Sequence, residues 1–213
     1  MINFFNQQAF TLYIASNSAS RKKLLEQAGI IFEVIEHDAD ESTVQQDQPF
    51  CNIVQQTAQL KMDHAKISDG NYQGEIRFIL TADTLGLTKQ DRVLCKPFNR
   101  KDAISMLGDA RGGTLTITAF CLRKIEWKYG YWHLVQEVAD FDQADSIFDV
   151  PDVCMDFYLD SIDFLSVSGA ISIEGVGGQF LKFVQGSYES IIGLPMYKLR
   201  KHLYDMGFYD KVL

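Results

Sequence analysis

The chain has 213 residues, of which 46% are hydrophobic and 23% are charged, and this ordinary globular composition excludes a disordered or fibrous protein. No stretch approaches the roughly 18 consecutive apolar residues of a membrane span. The first ten residues lack the basic and apolar regions of a secretory signal. We therefore expect a cytoplasmic protein with no membrane partner, built as one α/β domain over residues 1–213 with two lobes that share a sheet.

The net charge of −8 is unevenly distributed along the chain. Residues 126–163 contain ten acidic side chains and one base, whereas the rest of the chain has 18 acids and 19 bases. Binding to duplex nucleic acid requires clustered Lys and Arg, so no nucleic-acid partner is expected. A small anionic ligand remains compatible with this sequence wherever bases converge locally.

The cysteine and histidine patterns exclude the common metal motifs. No C-x-x-C pair occurs, so we expect four buried, reduced thiols (Cys51, Cys95, Cys121, Cys154) rather than a zinc ribbon. The four histidines form no H-x-H or H-E-x-x-H pattern, and we expect surface or capping roles for them (His37, His64, His133, His202). The glycine-rich run Gly175–Gly178 opens no helix, which disfavours a dinucleotide site.

The first half of the chain predicts a β-loop-α-β unit, which is typical of a parallel sheet. The hydrophobic periodicity, caps and turn residues predict the following elements in order: a strand at Phe10–Ala15, a loop at 16–20, a helix at Arg21–Ala28 capped by Ser18 or Ser20, a strand at Ile30–Ile35, an acidic turn at 38–41, a helix at about 48–67, a loop at Ser68–Glu75 and a strand at Ile76–Ala82 with Asp83 just past its end.

The second half predicts further strands separated by helices. The same signals predict a hairpin turn at 88–91 with a return strand at 92–95, a helix from Asn99 to Gly108, strands at Thr114–Leu122 and Tyr131–Val138, a helix from Pro151 to about Leu159, a flexible turn at Gly175–Gly178, a strand at Phe180–Val184 and a final helix at Pro195–Met206.

The loop at residues 16–23 is the first candidate site. A strand leads into a stretch rich in hydroxyl groups, then into a helix N-terminus followed by three consecutive bases. Exposed N–H groups and the helix dipole favour an anion at such a place, and Arg21 can hold a phosphate through two parallel bonds. Ser16 and Ser18 supply further donors. The alternative is a simple helix cap with a solvated basic face.

Acidic side chains form the second candidate. Asp38, Asp40 and Glu41 lie in the turn after the second strand, and Asp83 follows a buried strand. Ligands of open α/β sheets bind beyond the carboxyl ends of the strands, and Mg²⁺ needs only one or two carboxylates besides the phosphates of its ligand. The alternative for residues 38–41 is a solvated turn. Asp83 is expected to be half-buried, as functional carboxylates often are.

Two lysines are the third candidate. Lys61 lies on the predicted helix 48–67, and Lys96 is held in a rigid step before Pro97. Either lysine could reach a phosphate, although most lysines in such positions only extend toward solvent.

These residues resemble, in order and over about residues 11–204, the Maf family of nucleoside triphosphate pyrophosphatases. Seven blocks carry the resemblance: Ala15–Leu25 for A-S-x-S-P-R-R-x-x-L-L, Phe32 to Asp40-Glu41, Ala58 to Lys61, Thr81–Thr84 for G-A-D-T, Cys95–Pro97 with the helix after it, Gly169–Gly175 for G-A-x-x-I-Q-G, and Gly186–Met196 for G-S-Y-x-x-V-x-G-L-P-L.

The resemblance implies a mixed, twisted α/β sheet in an elongated two-lobed fold with a central cleft, related to the inosine-triphosphate pyrophosphatases. It also implies a house-cleaning enzyme that hydrolyses a nucleoside triphosphate to monophosphate and pyrophosphate with Mg²⁺ or Mn²⁺, and it is compatible with a homodimer. Ser16, Ser18, Arg21 and Lys22 would contact the triphosphate together with Lys61 and Lys96. Glu41 would hold the metal with Asp83, which would also orient or deprotonate the attacking water.

The chain departs from the family pattern at several positions. Ala19 and Ser20 replace Pro and the first Arg, Val167-Ser168 replace Lys-Ala, and Thr81 replaces Gly. A lost guanidinium is not replaced in its bidentate geometry by a lysine. An alternative is therefore a catalytically weak nucleotide-binding regulator of cell division or stress.

Base preference is open between two branches of the family. Glu174, where the dTTP/UTP branch has Gln, accepts hydrogen bonds only and suits the donor edge of guanine. Together with Lys22, it favours 7-methyl-GTP. Asp83-Thr84 and Gly186–Tyr188 instead resemble the dTTP/UTP branch. The alternative is that Glu174 contacts metal or solvent rather than the base.

Overall fold

The computed structural model describes residues 8–209 and contains a mixed sheet of seven strands. The strands lie in the order β2-β1-β3-β5-β6-β7, with β4 paired to β3. Their bounds are β1 Leu12–Ile14, β2 Phe32–Val34, β3 Ile76–Thr88, β4 Val93–Leu94, β5 Thr114–Lys128, β6 Tyr131–Phe148 and β7 Leu181–Gly186. The predicted mixed α/β sheet is therefore confirmed.

Within residues 8–209, four α-helices connect successive strands and two more follow β7. Their bounds are α1 Ala19–Gln27, α2 Phe50–Asp63, α3 Arg100–Ala110, α4 Met155–Asp160, α5 Tyr188–Ile192 and α6 Met196–Asp205. The Ser18 side chain caps α1 by accepting from the Arg21 amide, and the Asn99 side chain caps α3 by accepting from the Asp102 amide. Both caps satisfy amides that a helix N-terminus leaves unpaired. None of the helices in the described range 8–209 is long and apolar enough to cross a membrane.

The chain divides into two compact units. The first comprises the chain up to Asp83, Ala119–Phe141 and the chain from Gly193 onward, and the second comprises Thr84–Thr118 and Asp142–Ile192. In the first unit, β1 pairs in parallel with both β2 and β3. Buried Met62 of α2 packs there against Ile79 and Cys121 of the sheet, so the helix covers one face of these strands.

The core of the second unit is built around an aromatic cluster. The Tyr158 ring lies 5.4 Å from the Phe148 ring and 5.5 Å from the Phe180 ring, measured between centroids. Ala103 and Leu107 of α3 belong to the same buried cluster. Such edge-on and tilted aromatic contacts stabilise a core beyond the burial of area alone.

Several strands are longer than the sequence predicts. β3 continues through Asp83 to Thr88, so Asp83 lies within the strand and not beyond its end. The continuation is stabilised by antiparallel pairing of Gly86 and Leu87 with β4. β5 and β6 also run past their predicted ends and are joined at Tyr129-Gly130, where both residues have positive φ, as a type I′ hairpin turn requires.

Two smaller expectations also need correction, and one short helix lies outside every predicted element. Gly175–Gly178 is not a flexible turn, because residues Gly175–Phe180 form 3-10 helix. Cys95 is exposed, so the expectation of four buried thiols is wrong, although all four cysteines are free. The short helix α5 carries no sequence signal beyond the apolar pair Ile191-Ile192, and five residues are too few to display a helical period.

Candidate active site

The loop after β1 contains a serine, Ser16, whose hydroxyl is oriented to act as a hydrogen-bond donor. Ser16 Oγ accepts hydrogen bonds from the Ser18 amide at 3.3 Å and from Arg21 Nη1 at 3.1 Å. Because these two donors occupy both lone pairs of the oxygen, the hydroxyl hydrogen is left to donate to a further acceptor. Ser16 can therefore serve an anionic ligand as a donor, and its role in ligand binding stays a prediction.

Arg21 lies in the interior rather than on a solvated basic face. It is 9% exposed, and its Nε donates to the Gly193 carbonyl at 2.8 Å. Burial lowers the pKa of Arg21 from its usual value, while the negative charges of Asp83 and Glu41 oppose that shift. The guanidinium thus ties the loop after β1 to the chain before α6 and lies within electrostatic range of the two carboxylates.

The ammonium group of Lys61 lies between two carboxylates. Lys61 Nζ is 2.8 Å from Asp83 Oδ1 and 3.1 Å from Glu41 Oε1. The side chains of Lys61 and Asp83 are 9% and 12% exposed, whereas that of Glu41 is 52% exposed. The Asp83 side chain is therefore more deeply buried than the sequence predicts. Removing the two charges of a deeply buried ion pair from water costs much of the free energy that their attraction provides, so such a pair adds little net stability to the fold.

The register of the parallel strands explains why Ser16 lies close to Asp83. Ile14 of β1 is paired with Leu80 of β3, and the Ala15 amide donates to the Leu80 carbonyl at 2.9 Å. Two residues further along, Ser16 lies level with the residue before Asp83. Parallel pairing therefore brings the polar side chains that follow β1 level with Asp83 in the middle of β3.

Thr81 joins β3 to α2 at the same level. Its buried hydroxyl donates to the Ala58 carbonyl at 2.7 Å. Ala58 lies three residues before Lys61, and Thr81 lies two residues before Asp83 on the same face of the strand. The threonine that replaces the family glycine therefore holds together the two elements that carry the ion pair.

The acidic turn forms a short 3-10 helix, Glu41–Thr43, rather than an open turn. Asp40 caps it, since Asp40 Oδ1 accepts from the Ser42 amide at 3.1 Å and from the Ser42 hydroxyl at 2.6 Å. These bonds lower the pKa of Asp40 from its usual value. Asp38 pairs with Lys66 and with His64. Of the three predicted carboxylates in this turn, only Glu41 is directed to Lys61.

His37 is a residue near this site that the sequence did not identify. Its Nδ1 is buried and has no hydrogen-bond partner among residues 8–209. Burial lowers the pKa of His37, and the positive charge of Lys61 lowers it further. His37 is half-buried, and its imidazole lies within electrostatic range of Lys61. The only signal was its position four residues before Glu41.

The donor set of the first unit fits a hard divalent cation that is also bound by phosphate oxygens. Within the described range there is no group of three His, Cys, Asp or Glu side chains suited to hold a metal ion by itself. Glu41 and Asp83 nevertheless direct carboxylate oxygens to one point, which Lys61 Nζ occupies. Mg²⁺ is commonly held by one or two carboxylates plus substrate phosphates, so the chemistry of these two side chains is compatible with a cation that the substrate also binds.

The remaining predicted residues are Lys22, Lys96 and Glu174. Lys22 is a half-buried residue of α1 in the first unit. Lys96 is exposed and Glu174 is half-buried, and both belong to the second unit. There, the Gly169 amide donates to the Cys95 carbonyl at 2.8 Å. The segment that leads to Glu174 is thereby fastened directly beside Lys96.

The first unit also contains a cavity of about 280 Å³ away from these residues. It is lined by Tyr13, Glu33, Glu36, Lys66 and Arg77, among others. Arg77 stacks on Tyr13 at 5.1 Å and donates to Glu75 at 2.7 Å. Its guanidinium is therefore committed to partners within the protein, and the cavity contains none of the predicted site residues.

Comparisons with known proteins agree with the resemblance read from the motifs. A family model described as "Maf-like protein" matches residues 11–206. The chain is 27% identical to a protein of Hydrogenovibrio crunogenus, over 94% of this chain and 98% of that protein. It is 29% identical to a protein of Fusobacterium nucleatum, over 94% of this chain and all of that protein. Both relatives carry the name dTTP/UTP pyrophosphatase.

Proposed function

The chain belongs to the Maf-like protein family, and we propose that it is a hydrolase that cleaves a nucleoside triphosphate to the monophosphate and pyrophosphate. The observation that carries this proposal is the buried ammonium group of Lys61, placed between Asp83 and Glu41. Relatives aligned over almost their whole length carry the name of such an enzyme. The names of these relatives do not favour the alternative of a catalytically weak regulator.

The proposed reaction is an attack of water on the α-phosphorus. The bond from the water oxygen to phosphorus forms, the bond to the β-phosphate oxygen breaks, and pyrophosphate leaves. Asp83 orients the water and accepts its proton, while Lys61 and the Ser16 hydroxyl donate to phosphate oxygens. Arg21 contributes positive charge from its buried position. Phosphoryl transfer requires mainly such positioning and charge stabilisation.

Glu41 and Asp83 are the side chains that would hold a divalent cation, Mg²⁺ or Mn²⁺. When bound, the cation neutralises charge on the phosphate oxygens and polarises the phosphorus. The exposed Glu41 carboxylate is free to turn toward a cation that arrives with the substrate, because more than half of its side-chain surface is accessible. Lys22 and Lys96 are proposed as further phosphate contacts, and Ser18 caps α1, the helix that carries Lys22.

We infer dTTP and UTP as the preferred substrates. The names of the relatives and the motifs Asp83-Thr84 and Gly186–Tyr188 support this preference, whereas the relatives' names do not support the 7-methyl-GTP preference expected from Glu174 and Lys22. Glu174 is retained as the residue proposed to face the base.

A nucleotide panel tests the function and the preference together. We expect pyrophosphate as the product, with kcat/KM for dTTP and UTP exceeding that for CTP, GTP and 7-methyl-GTP. Release of orthophosphate instead would indicate a phosphomonoesterase. A preference for 7-methyl-GTP that is lost in Glu174→Gln would overturn the pyrimidine assignment and restore base recognition by that carboxylate.

Glu41→Gln is expected to raise the metal concentration needed for the half-maximal rate by about tenfold, because an amide oxygen is a poorer ligand for a hard cation than a carboxylate. The measurement is a titration of the rate with Mg²⁺ and with Mn²⁺ at saturating nucleotide. Glu26→Gln, an exposed position on α1, serves as the matched control. An unchanged titration in Glu41→Gln would remove this residue from the proposed metal contact.

We further propose a cytoplasmic location, since all four cysteines are free thiols. A homodimer stays a prediction, and the mass measured by light scattering during gel filtration tests it.

A further inference from the structure

Tyr158 is a buried residue of the second unit to which the proposed reaction assigns no task. Its side chain is fully buried, and its ring packs between Phe148 and Phe180. The hydroxyl donates to the Ala170 carbonyl at 2.7 Å and accepts from the Ser172 amide at 2.8 Å. A single oxygen atom therefore satisfies two backbone groups of one short segment, residues 168–175, which ends beside Glu174.

The backbone of this segment adopts a conformation that it would not keep without support. Ala170 has a φ of 55°, and Gly169 before it has a φ of 64°. The left-handed region is unfavourable for alanine, whose Cβ crowds the following carbonyl. Non-glycine residues persist there only where the surroundings determine them, and such positions cluster at functional sites.

Gly177, just beyond the segment, packs closely against the backbone of Ser172. A Cβ atom added at Gly177 would lie 1.6 Å from the Ser172 carbonyl oxygen, so only glycine permits this approach. The Gly177 amide donates to the Glu174 carbonyl at 3.0 Å. Ser172 is thus held between the Tyr158 hydroxyl and Gly177, and Glu174 lies two residues further along.

The same segment also fixes the backbone beside Lys96. The Gly169 amide donates to the Cys95 carbonyl at 2.8 Å, and Gly169 adjoins Ala170, whose carbonyl Tyr158 holds. Burial raises the pKa of the Tyr158 phenol, so the hydroxyl stays protonated and keeps its donor throughout the physiological pH range.

We propose that Tyr158 is a positioning residue for the reaction, whose hydroxyl holds the segment 168–175 so that Glu174 and Lys96 are presented to the nucleotide. This inference rests on the proposed function and adds to it a residue that acts only through others. Loss of the hydroxyl would leave the Ala170 carbonyl and the Ser172 amide unpaired in the interior, and the segment would exchange its single conformation for several.

The test compares Tyr158→Phe with Thr114→Val. The control removes another buried hydroxyl of the second unit, one that pairs with Ser146 Oγ at 2.8 Å and makes no hydrogen bond to the segment. For Tyr158→Phe we expect KM for UTP and dTTP to rise about tenfold and the discrimination between UTP and GTP to shrink. For Thr114→Val we expect both quantities to equal those of the wild type. A merely structural loss lowers the active fraction and hence the apparent kcat, leaving KM and the ratio between bases unchanged.

A double-mutant cycle and amide exchange complete the test. Glu174→Gln should change the UTP-to-GTP ratio in the wild-type background and have little effect in Tyr158→Phe, since the two residues act in series. Amide exchange at residues 168–175 should accelerate at least tenfold in Tyr158→Phe only. Unchanged amide exchange at residues 168–175 in Tyr158→Phe would overturn the proposal, whether or not the protein hydrolyses nucleotides. Absence of hydrolysis in the wild type would separately refute the proposed function. Unchanged KM and base ratio in an active Tyr158→Phe would overturn it as well.

Discussion

Replacing Asp83 by Asn is expected to lower kcat at least about 100-fold, the effect of losing a general base. The amide has the shape of the carboxylate but cannot accept the proton of the attacking water. Lys61 retains Glu41 as a partner at 3.1 Å, so the fold should persist. Far-UV circular dichroism and gel filtration should therefore match the wild type, and a non-hydrolysable nucleotide analogue should bind with a Kd within a few-fold of the wild-type value.

Asp47→Asn provides the control for this substitution, because Asp47 is an exposed carboxylate in the stretch before α2. It should leave kcat unchanged. Activity of Asp83→Asn within a few-fold of the wild type would show that another group takes the proton. His37, whose buried Nδ1 lacks a hydrogen-bond partner among residues 8–209, would then be the first residue to examine.

Replacing Lys61 by Met is expected to remove activity and to destabilise the first unit by about 3 kcal/mol, because it leaves the buried Asp83 carboxylate without its cation. A loss of this size corresponds to a fall in Tm of about 6–12 °C for a protein of this length. Methionine nearly preserves the length of the side chain, so the loss reports mainly on charge. Urea unfolding and calorimetry measure it.

Lys66→Met is the matched control. Lys66 also pairs with an aspartate, Asp38, but both side chains are more than half exposed, and exposed ion pairs contribute little to stability. Its Tm should stay within about 1–2 °C of the wild type, as is usual for surface substitutions. If Lys61→Met were as stable as Lys66→Met, the ion pair would not be the buried, uncompensated contact that its distances indicate.

The first unit shows how far residue patterns reach. Local signals predict the strand, loop and helix around Ser16 and the cap at Ser18. Each of these features depends only on residues that are neighbours in the sequence. The same holds for α2, whose apolar spacing predicts a helix and whose true bounds, Phe50–Asp63, fall inside the predicted range.

Strand β6 shows where such signals end. Its predicted end at Val138 reflects the acidic residues that follow, which disfavour a strand. In the structure, the strand continues to Phe148. Asp140 accepts from Lys198 Nζ at 3.2 Å and lies 2.9 Å from His202 Nε2, and both partners belong to α6. The charge that argues against a strand locally is thus neutralised by a helix more than fifty residues away.

The amino-acid sequence by itself determined the types of chemical group that this protein can use, because carboxylates, lysines and hydroxyls in seven ordered blocks mark them without reference to any fold. Only the tertiary structure decided which of these groups meet. Glu41, Lys61 and Asp83 lie about twenty residues apart in sequence, and they meet at the Lys61 ammonium group. The hydrogen bond from Thr81 to α2 joins the elements that carry Lys61 and Asp83, and the parallel register of β1 and β3 brings Ser16 level with them. Asp40 is also a carboxylate, but its side chain caps the 3-10 helix that follows it. Contact between distant residues depends on register and packing, which no local pattern encodes.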